Sequence, residues 1–118
     1  MDIHTRHYND VAILSLNGRL DAVSAPRLAG AIAAQIEAGY ARLVVDLKKV
    51  DFLNSVGIKA MIQGAQLTRR EGGDFRIAST QSSVKQVLVL AGVHTVIKMY
   101  PNVVGATASY FPGPMTDV

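Results

Sequence analysis

Apolar residues recur with a helical period in three stretches of the chain. From Ser24 to Gly39 they fall every four residues, and a proline near the start suits a first helical turn, where its missing N–H is not needed. From residue 55 to residue 70 they follow the spacing of a helix with one buried face. A third stretch begins at Thr80 or Gln81 and is closed by Gly92. The apolar positions of these predicted helices are Leu28, Ile32 and Ile36; Ile58, Met61, Ile62 and Ala65; and Val84, Val87, Leu88 and Ala91.

Shorter apolar runs predict β-strands between and around these helices. They cover residues 3–8, 11–16, 43–45, 75–78 and 96–100. Asn9-Asp10 separates the first two strands, and Asn17-Gly18 ends the second with turn chemistry. A weaker helical pattern over residues 102–111 predicts a last helix, with Asn102 as its N-cap and Val104, Ala108 and Phe111 facing inward.

The alternation of strands and helices predicts one α/β domain with a mostly parallel, mixed sheet of four to five strands and about four helices. The first two strands are joined by a tight turn and should therefore be antiparallel to each other. We expect the domain to cover residues 1–111 and residues 112–118 to form a flexible C-terminal tail.

Composition narrows the classes of function. The 118 residues are 49% hydrophobic and 18% charged, as in a folded domain, and include no cysteine, which removes disulfides and thiolate chemistry. No apolar run approaches the roughly 20 residues of a membrane span, so we expect a cytoplasmic protein. The net charge of +3 is not concentrated in a long basic run, and aromatic residues are few. Direct nucleic-acid binding is therefore not expected.

Ser55 lies where the strand pattern of residues 43–45 gives way to the second helix. The junction between the carboxyl end of a strand and the start of a helix is a favoured place for binding and chemistry in α/β sheets. A serine there can simply cap the helix. Alternatively it can accept a phosphate, because free N–H groups and the helix dipole favour an anion at this position. Both interpretations of Ser55 are open at this point.

Enzymatic alternatives find less support in the sequence. A serine hydrolase would need a base and an acid beside Ser55, and the context Asn54-Ser55-Val56-Gly57 lacks the Gly-x-Ser-x-Gly elbow. A phospho-accepting Asp46 would need an acidic pair for magnesium, which Asp21 alone does not supply, so Asp46 is better explained as a strand-end or turn residue. Asp21 has the same alternative, as a cap or turn former. No metal spacing, phosphate loop or dinucleotide fingerprint is present, so we predict no enzyme, no cofactor and no metal.

Several motifs together resemble those of the STAS-domain anti-sigma factor antagonists of bacteria, regulators that release a sigma factor by binding its inhibitor. The resemblance covers nearly the whole chain and implies a STAS-like fold. It rests on Gly18-Arg19-Leu20-Asp21, Val45-Asp46-Leu47, Val50-Asp51-Phe52-Leu53, Asn54-Ser55-Val56-Gly57-Ile58, Ala91-Gly92-Val93 and Met99-Tyr100-Pro101.

The resemblance implies a phosphorylation switch. In such antagonists, a partner that is both anti-sigma factor and serine kinase phosphorylates the serine at the start of this helix and binds only the unphosphorylated form. A serine phosphatase can complete the cycle. Carried over by position, Ser55 is the acceptor. The implied partner-binding surface consists of Asp21, Asn54, Ser55, Val56, Gly57, Lys59 and Gln63.

The chain departs from the family pattern directly before the serine. The family usually has aspartate there, whereas this chain has Asn54, which keeps a hydrogen-bonding oxygen but loses the charge. Val56 stands where a small hydroxyl residue is common. STAS domains also occur in transporters and sensors, so a module that binds a small ligand, or a non-phosphorylated subunit of a larger assembly, is the alternative function. The sequence leaves the oligomeric state open, with a weak homodimer as one possibility.

Overall fold

Strands and helices alternate along the chain in the computed structural model, which describes residues 1–113. Over that range there are five strands, four α-helices and one short 3₁₀ turn, so the predicted α/β class and element order are confirmed. The strands are β1 (Asp2–Tyr8), β2 (Val11–Leu20), β3 (Arg42–Leu53), β4 (Asp74–Ala78) and β5 (Lys98–Tyr100). The helices are α1 (Ala25–Glu37), α2 (Ser55–Arg70), α3 (Ser82–Leu90) and α4 (Val103–Ala108), with the 3₁₀ turn at Val93–Thr95.

The five strands form one sheet in the order β1-β2-β3-β4-β5. β1 and β2 are antiparallel, as the tight turn between them predicts, and the other three pairings are parallel. β3 therefore lies at the centre of the sheet, and its carboxyl end leads directly into α2. No helix among the described residues has the length and apolarity needed to cross a membrane.

The two faces of the sheet are covered unequally. Alternate side chains of β2 and β3 point to opposite faces, because successive residues of a strand do so. The main core joins one face to α1, α2 and α3, and it contains both Met61 and Phe75, each fully buried. A smaller cluster joins the other face to the short α4 region and contains Val11, Ile13, Val44, Ala78, Ala106 and Tyr110.

β2 and β3 extend well beyond the predicted limits at residues 16 and 45. β3 continues through the polar passage of residues 48–51, with Leu47, Val50 and Leu53 buried on its inner side. Asp46 makes this possible: its carboxylate accepts hydrogen bonds from the Lys48 N–H (3.0 Å) and the Ser15 hydroxyl (3.1 Å), where the β2–β3 register shifts. The placement of Asp46 at a strand end was therefore wrong, since it stabilises an irregularity within β3.

The carboxyl-terminal elements also differ from their predicted limits. α4 ends at Ala108, Val104 is 79% exposed, and Ala106 and Thr107 are buried in place of the predicted inward positions. The orientation is fixed by Tyr110, whose buried hydroxyl donates to the carbonyl of Leu43 over 2.8 Å. Four more residues that were predicted to face inward are exposed, namely Val87, Ala91, Ala108 and Phe111. β5 begins only at residue 98, because residues 93–95 form the 3₁₀ turn. Residues 114–118 of the predicted tail lie outside the described residues.

Candidate functional site

The start of α2 is capped by Asn54, and Ser55 is the first residue of the helix. The side-chain oxygen of Asn54 accepts hydrogen bonds from the N–H groups of Val56 (3.1 Å) and Gly57 (3.3 Å). Asn54 thus satisfies two of the N–H groups that have no partner within the helix. The interpretation of Ser55 as the cap was wrong. Ser55 is exposed, and its hydroxyl makes no hydrogen bond to another residue in the described part of the chain.

The cap changes how an anion on Ser55 would be held. A phosphate at a helix start normally binds the free N–H groups of the first turn. Here the N–H groups of Val56 and Gly57 already donate to Asn54, and that of Ile58 donates to the Asn54 carbonyl over 3.0 Å. These three N–H groups are therefore not free to bind an anion at this helix start. Lys59, exposed and one turn further along α2, is the nearest cation in sequence.

Gly57 brings the start of α2 against the end of β2. A Cβ atom at this position would lie 2.5 Å from the carbonyl oxygen of Leu20 and 2.7 Å from its Cγ. The N–H of Asn54 donates to the same carbonyl oxygen over 3.3 Å. Only glycine permits this approach, and the approach fixes the position of Ser55 relative to the residues that follow β2.

Asp21 follows β2 directly and organises the turn into α1. Its carboxylate accepts hydrogen bonds from the N–H groups of Val23 (3.1 Å) and Ser24 (3.2 Å), and Arg19 lies 3.7 Å from its other oxygen. The bond from the Ser24 N–H is the main cause that holds the pKa of Asp21 below its ordinary value. The structure thus shows Asp21 as a turn former, and it also places Asp21 beside the start of α2, because Leu20 contacts Gly57.

Exposed apolar side chains lie on the segments that meet around Ser55. Val23 is 89% exposed, Val56 42% and Phe52 37%, and the guanidinium of Arg19 stacks over the Phe52 ring at 3.9 Å. Val23, Phe52 and Arg19 were not among the residues predicted for this surface. The alternation in β3 could have identified Phe52, since its neighbour Leu53 is buried and strand neighbours point to opposite faces.

A shallow groove of about 290 Å³ separates α1 from α2 beside this surface. The predicted binding residues Lys59 and Gln63 lie along it together with Val56, as their positions on the outer side of α2 suggested. We call this the α1–α2 groove; its lining residues are Ala22, Ala25, Pro26, Ala29, Val56, Lys59, Ala60 and Gln63. The structure therefore brings the predicted binding residues of α2 together with the start of α1, which the sequence had not indicated.

In residues 1–113, His7 makes contacts of its own and no cluster for a metal ion is formed. The ring of His7 is engaged elsewhere, 2.7 Å from the side-chain oxygen of Gln35 and stacked on Tyr40. No three histidine, aspartate or glutamate side chains within that range lie close enough together to hold a metal ion. What the geometry does present is an exposed hydroxyl at a capped helix start, with exposed apolar side chains on neighbouring segments.

The sequence profile of the STAS domain matches residues 2–106. The chain belongs to the STAS domain family. The resemblance found in the sequence motifs is thereby confirmed. Among its curated relatives, the anti-sigma-F factor antagonist RsfB of Mycobacterium tuberculosis is 28% identical over 93 residues, which cover 79% of this chain and 75% of RsfB.

Solved structures of this family share the fold. An anti-sigma factor antagonist from Mycobacterium paratuberculosis superposes with a TM-score of 0.83 at 28% identity, over 92% of each chain. The Bacillus cell fate determinant SpoIIAA in its phosphorylated form superposes with a TM-score of 0.71 at 14% identity, over 92% of this chain and 99% of SpoIIAA. The second likeness, at such low identity, concerns the fold alone.

Proposed function

We propose that this protein is a cytoplasmic anti-sigma factor antagonist, which binds an anti-sigma factor with serine kinase activity and is released when that partner phosphorylates Ser55. A serine phosphatase would restore the binding form. The observation that carries the proposal is the exposed Ser55 hydroxyl, which is not needed to cap α2 because Asn54 does so. The relatives named as anti-sigma factor antagonists support the same role.

The surroundings of Ser55 suit a protein partner. Exposed apolar side chains at a helix start favour an interface that buries them from water. Val23, Phe52 and Val56 supply this apolar surface, while Lys59 and Gln63 supply polar contacts along the α1–α2 groove. A partner that contacts both the apolar surface and the α1–α2 groove would cover Ser55. The chemical state of the Ser55 hydroxyl would then decide whether the complex forms.

Phosphorylation would act through the charge it places in this interface. A phosphate adds about −1.5 to −2 charges at neutral pH. Because the N–H groups of Val56 and Gly57 already donate to the Asn54 side chain, the phosphate would face the partner. A charge left unpaired in a buried interface weakens binding by about 2 kcal/mol or more, which is roughly a 30-fold loss of affinity.

The modification itself is tested by incubating the protein with its cognate anti-sigma factor and ATP and mapping the phosphate by mass spectrometry. We expect one phosphate, on Ser55, and none on the Ser55→Ala variant. Ser82 is a matched internal control, because it is also an exposed first residue of a helix. Phosphate on neither serine with every cognate kinase would reject the switch.

The effect on binding is tested by titration calorimetry with the same partner. Ser55→Asp should weaken binding at least tenfold, while Ser55→Ala and the control Ser82→Asp should leave it unchanged. Equal affinity of all three variants would contradict the mechanism. A partner that binds the protein but leaves Ser55 unphosphorylated in the presence of ATP would favour the alternative of a constitutive STAS subunit in a larger assembly.

A further inference from the structure

The outer edge of β1 has no partner strand among residues 1–113, because β1 lies at one end of the sheet. The strand has seven residues and pairs with β2 in an unbroken register from Asp2 to Tyr8, without bulge or proline. An edge of this kind exposes N–H and C=O groups that can pair with another strand. Natural edges are usually protected by bulges, prolines or charged side chains. β1 has no bulge or proline, and its two charged residues, Asp2 and Arg6, have opposite signs.

The charges on β1 are arranged with a symmetry that suits pairing of the strand with itself. Asp2, His4, Arg6 and Tyr8 share the face away from α1, α2 and α3, since the intervening Ile3 lies opposite Leu16 of the main core. Asp2 and Arg6 are both exposed. Within residues 1–113, neither side chain lies within 4.0 Å of an opposite charge.

We propose that β1 pairs antiparallel with β1 of a second copy, with His4 at the two-fold axis. In this register Asp2 of each copy lies opposite Arg6 of the other, which gives two attractive cross-strand pairs. The longer register centred on Thr5 would instead place Arg6 opposite His4 and Asp2 opposite Tyr8, and it would gain no ion pair. The charges therefore select the register centred on His4.

The dimer would leave the Ser55 surface accessible. None of the residues that line the α1–α2 groove belongs to β1, and β1 pairs only with β2. Ser55 follows the carboxyl end of β3, and β2 separates β3 from β1 in the sheet. Two copies joined at β1 would therefore present two separate Ser55 surfaces, and dimer formation would not depend on the proposed phosphorylation.

Charge-reversal variants test this register by sedimentation equilibrium. Asp2→Arg places two arginines on each strand, and Arg6→Asp places two aspartates, so each variant alone should dimerise at least about tenfold more weakly than the unmodified protein. Mixed together, they should form a heterodimer, because every cross-strand pair is then between opposite charges. Glu37→Arg, an exposed charge reversal at the end of α1, is the control and should leave dimerisation unchanged.

Failure of the unmodified protein to dimerise at millimolar concentration would overturn the proposal. So would a dimer that neither reversal weakens, or single variants that do not recover when mixed. Near-ultraviolet circular dichroism of each variant establishes that it is folded. A dimer weakened by Glu37→Arg to the same extent would show that net charge, and not the β1 register, controls association.

Discussion

Gly57 offers the sharpest test of how the sequence holds Ser55 in place. The change Gly57→Ala adds one methyl group to α2, where alanine is intrinsically better than glycine by about 1 kcal/mol. The added Cβ, however, would lie 2.5 Å from the carbonyl oxygen of Leu20, and an ordinary contact of 3.4 Å requires a movement of about 0.9 Å. The obstacle is backbone, which cannot rotate aside as a side chain can.

Overpacking of this kind costs roughly 3 kcal/mol at the upper end of the usual range. Subtracting the gain in helix propensity leaves Gly57→Ala about 2 kcal/mol less stable than the unmodified protein. Gly30→Ala is the matched control, since Gly30 lies inside α1 and an added Cβ would contact nothing within 4 Å. It should be about 1 kcal/mol more stable.

Urea unfolding followed by circular dichroism measures both free energies of unfolding. Amide exchange adds a local readout, because the Asn54 N–H bonds to the Leu20 carbonyl and should exchange faster in Gly57→Ala. If Gly57→Ala proves as stable as the unmodified protein while Gly30→Ala gains stability, the close approach of α2 to β2 is not what positions Ser55.

Three further predictions concern single side chains. Asn54→Ala should lower the free energy of unfolding by about 1 kcal/mol in urea titrations, whereas Asn54→Asp should keep the cap and gain about 0.5 kcal/mol at neutral pH, since a carboxylate favours a helix start. The pKa of Asp21 is lowered in the folded state, so its stabilising effect is present above its unfolded pKa and is lost as pH falls through the folded pKa. Asp21→Asn should accordingly reduce the loss of thermal stability between pH 5 and more acidic conditions, and an unchanged pH profile would contradict this. Tyr110→Phe removes the hydrogen bond to Leu43 and should destabilise by about 1 kcal/mol in the same unfolding assay, with no loss if that carbonyl finds another donor.

Periodicity located most elements correctly but misjudged their ends. α2 was predicted well because its long apolar face and its neighbouring polar face are both complete. β3 was predicted too short, because residues 48–51 are polar and the strand continues there only with the help of Asp46 and the paired end of β2. A propensity argument cannot detect a strand that is maintained by its neighbours.

At the candidate site, too, local patterns predicted one part and the packing of distant segments decided the other. The sequence indicated Ser55, and its motifs indicated the family, because a helix pattern that follows a strand pattern defines the junction without any knowledge of the fold. It did not identify Asn54 as the cap of α2 in place of Ser55, since both residue types are good caps. That choice determines whether the serine hydroxyl is occupied or free.

The sequence by itself therefore determined the α/β class, the order of the elements and the position of Ser55 at a strand-to-helix junction, because each depends on local periodicity. Only the tertiary structure decided what surrounds that serine. The contact of Gly57 with Leu20, the Arg19–Phe52 stack and the α1–α2 groove each join segments that are distant in the chain. Their positions follow from how the sheet and helices pack, which no local pattern encodes.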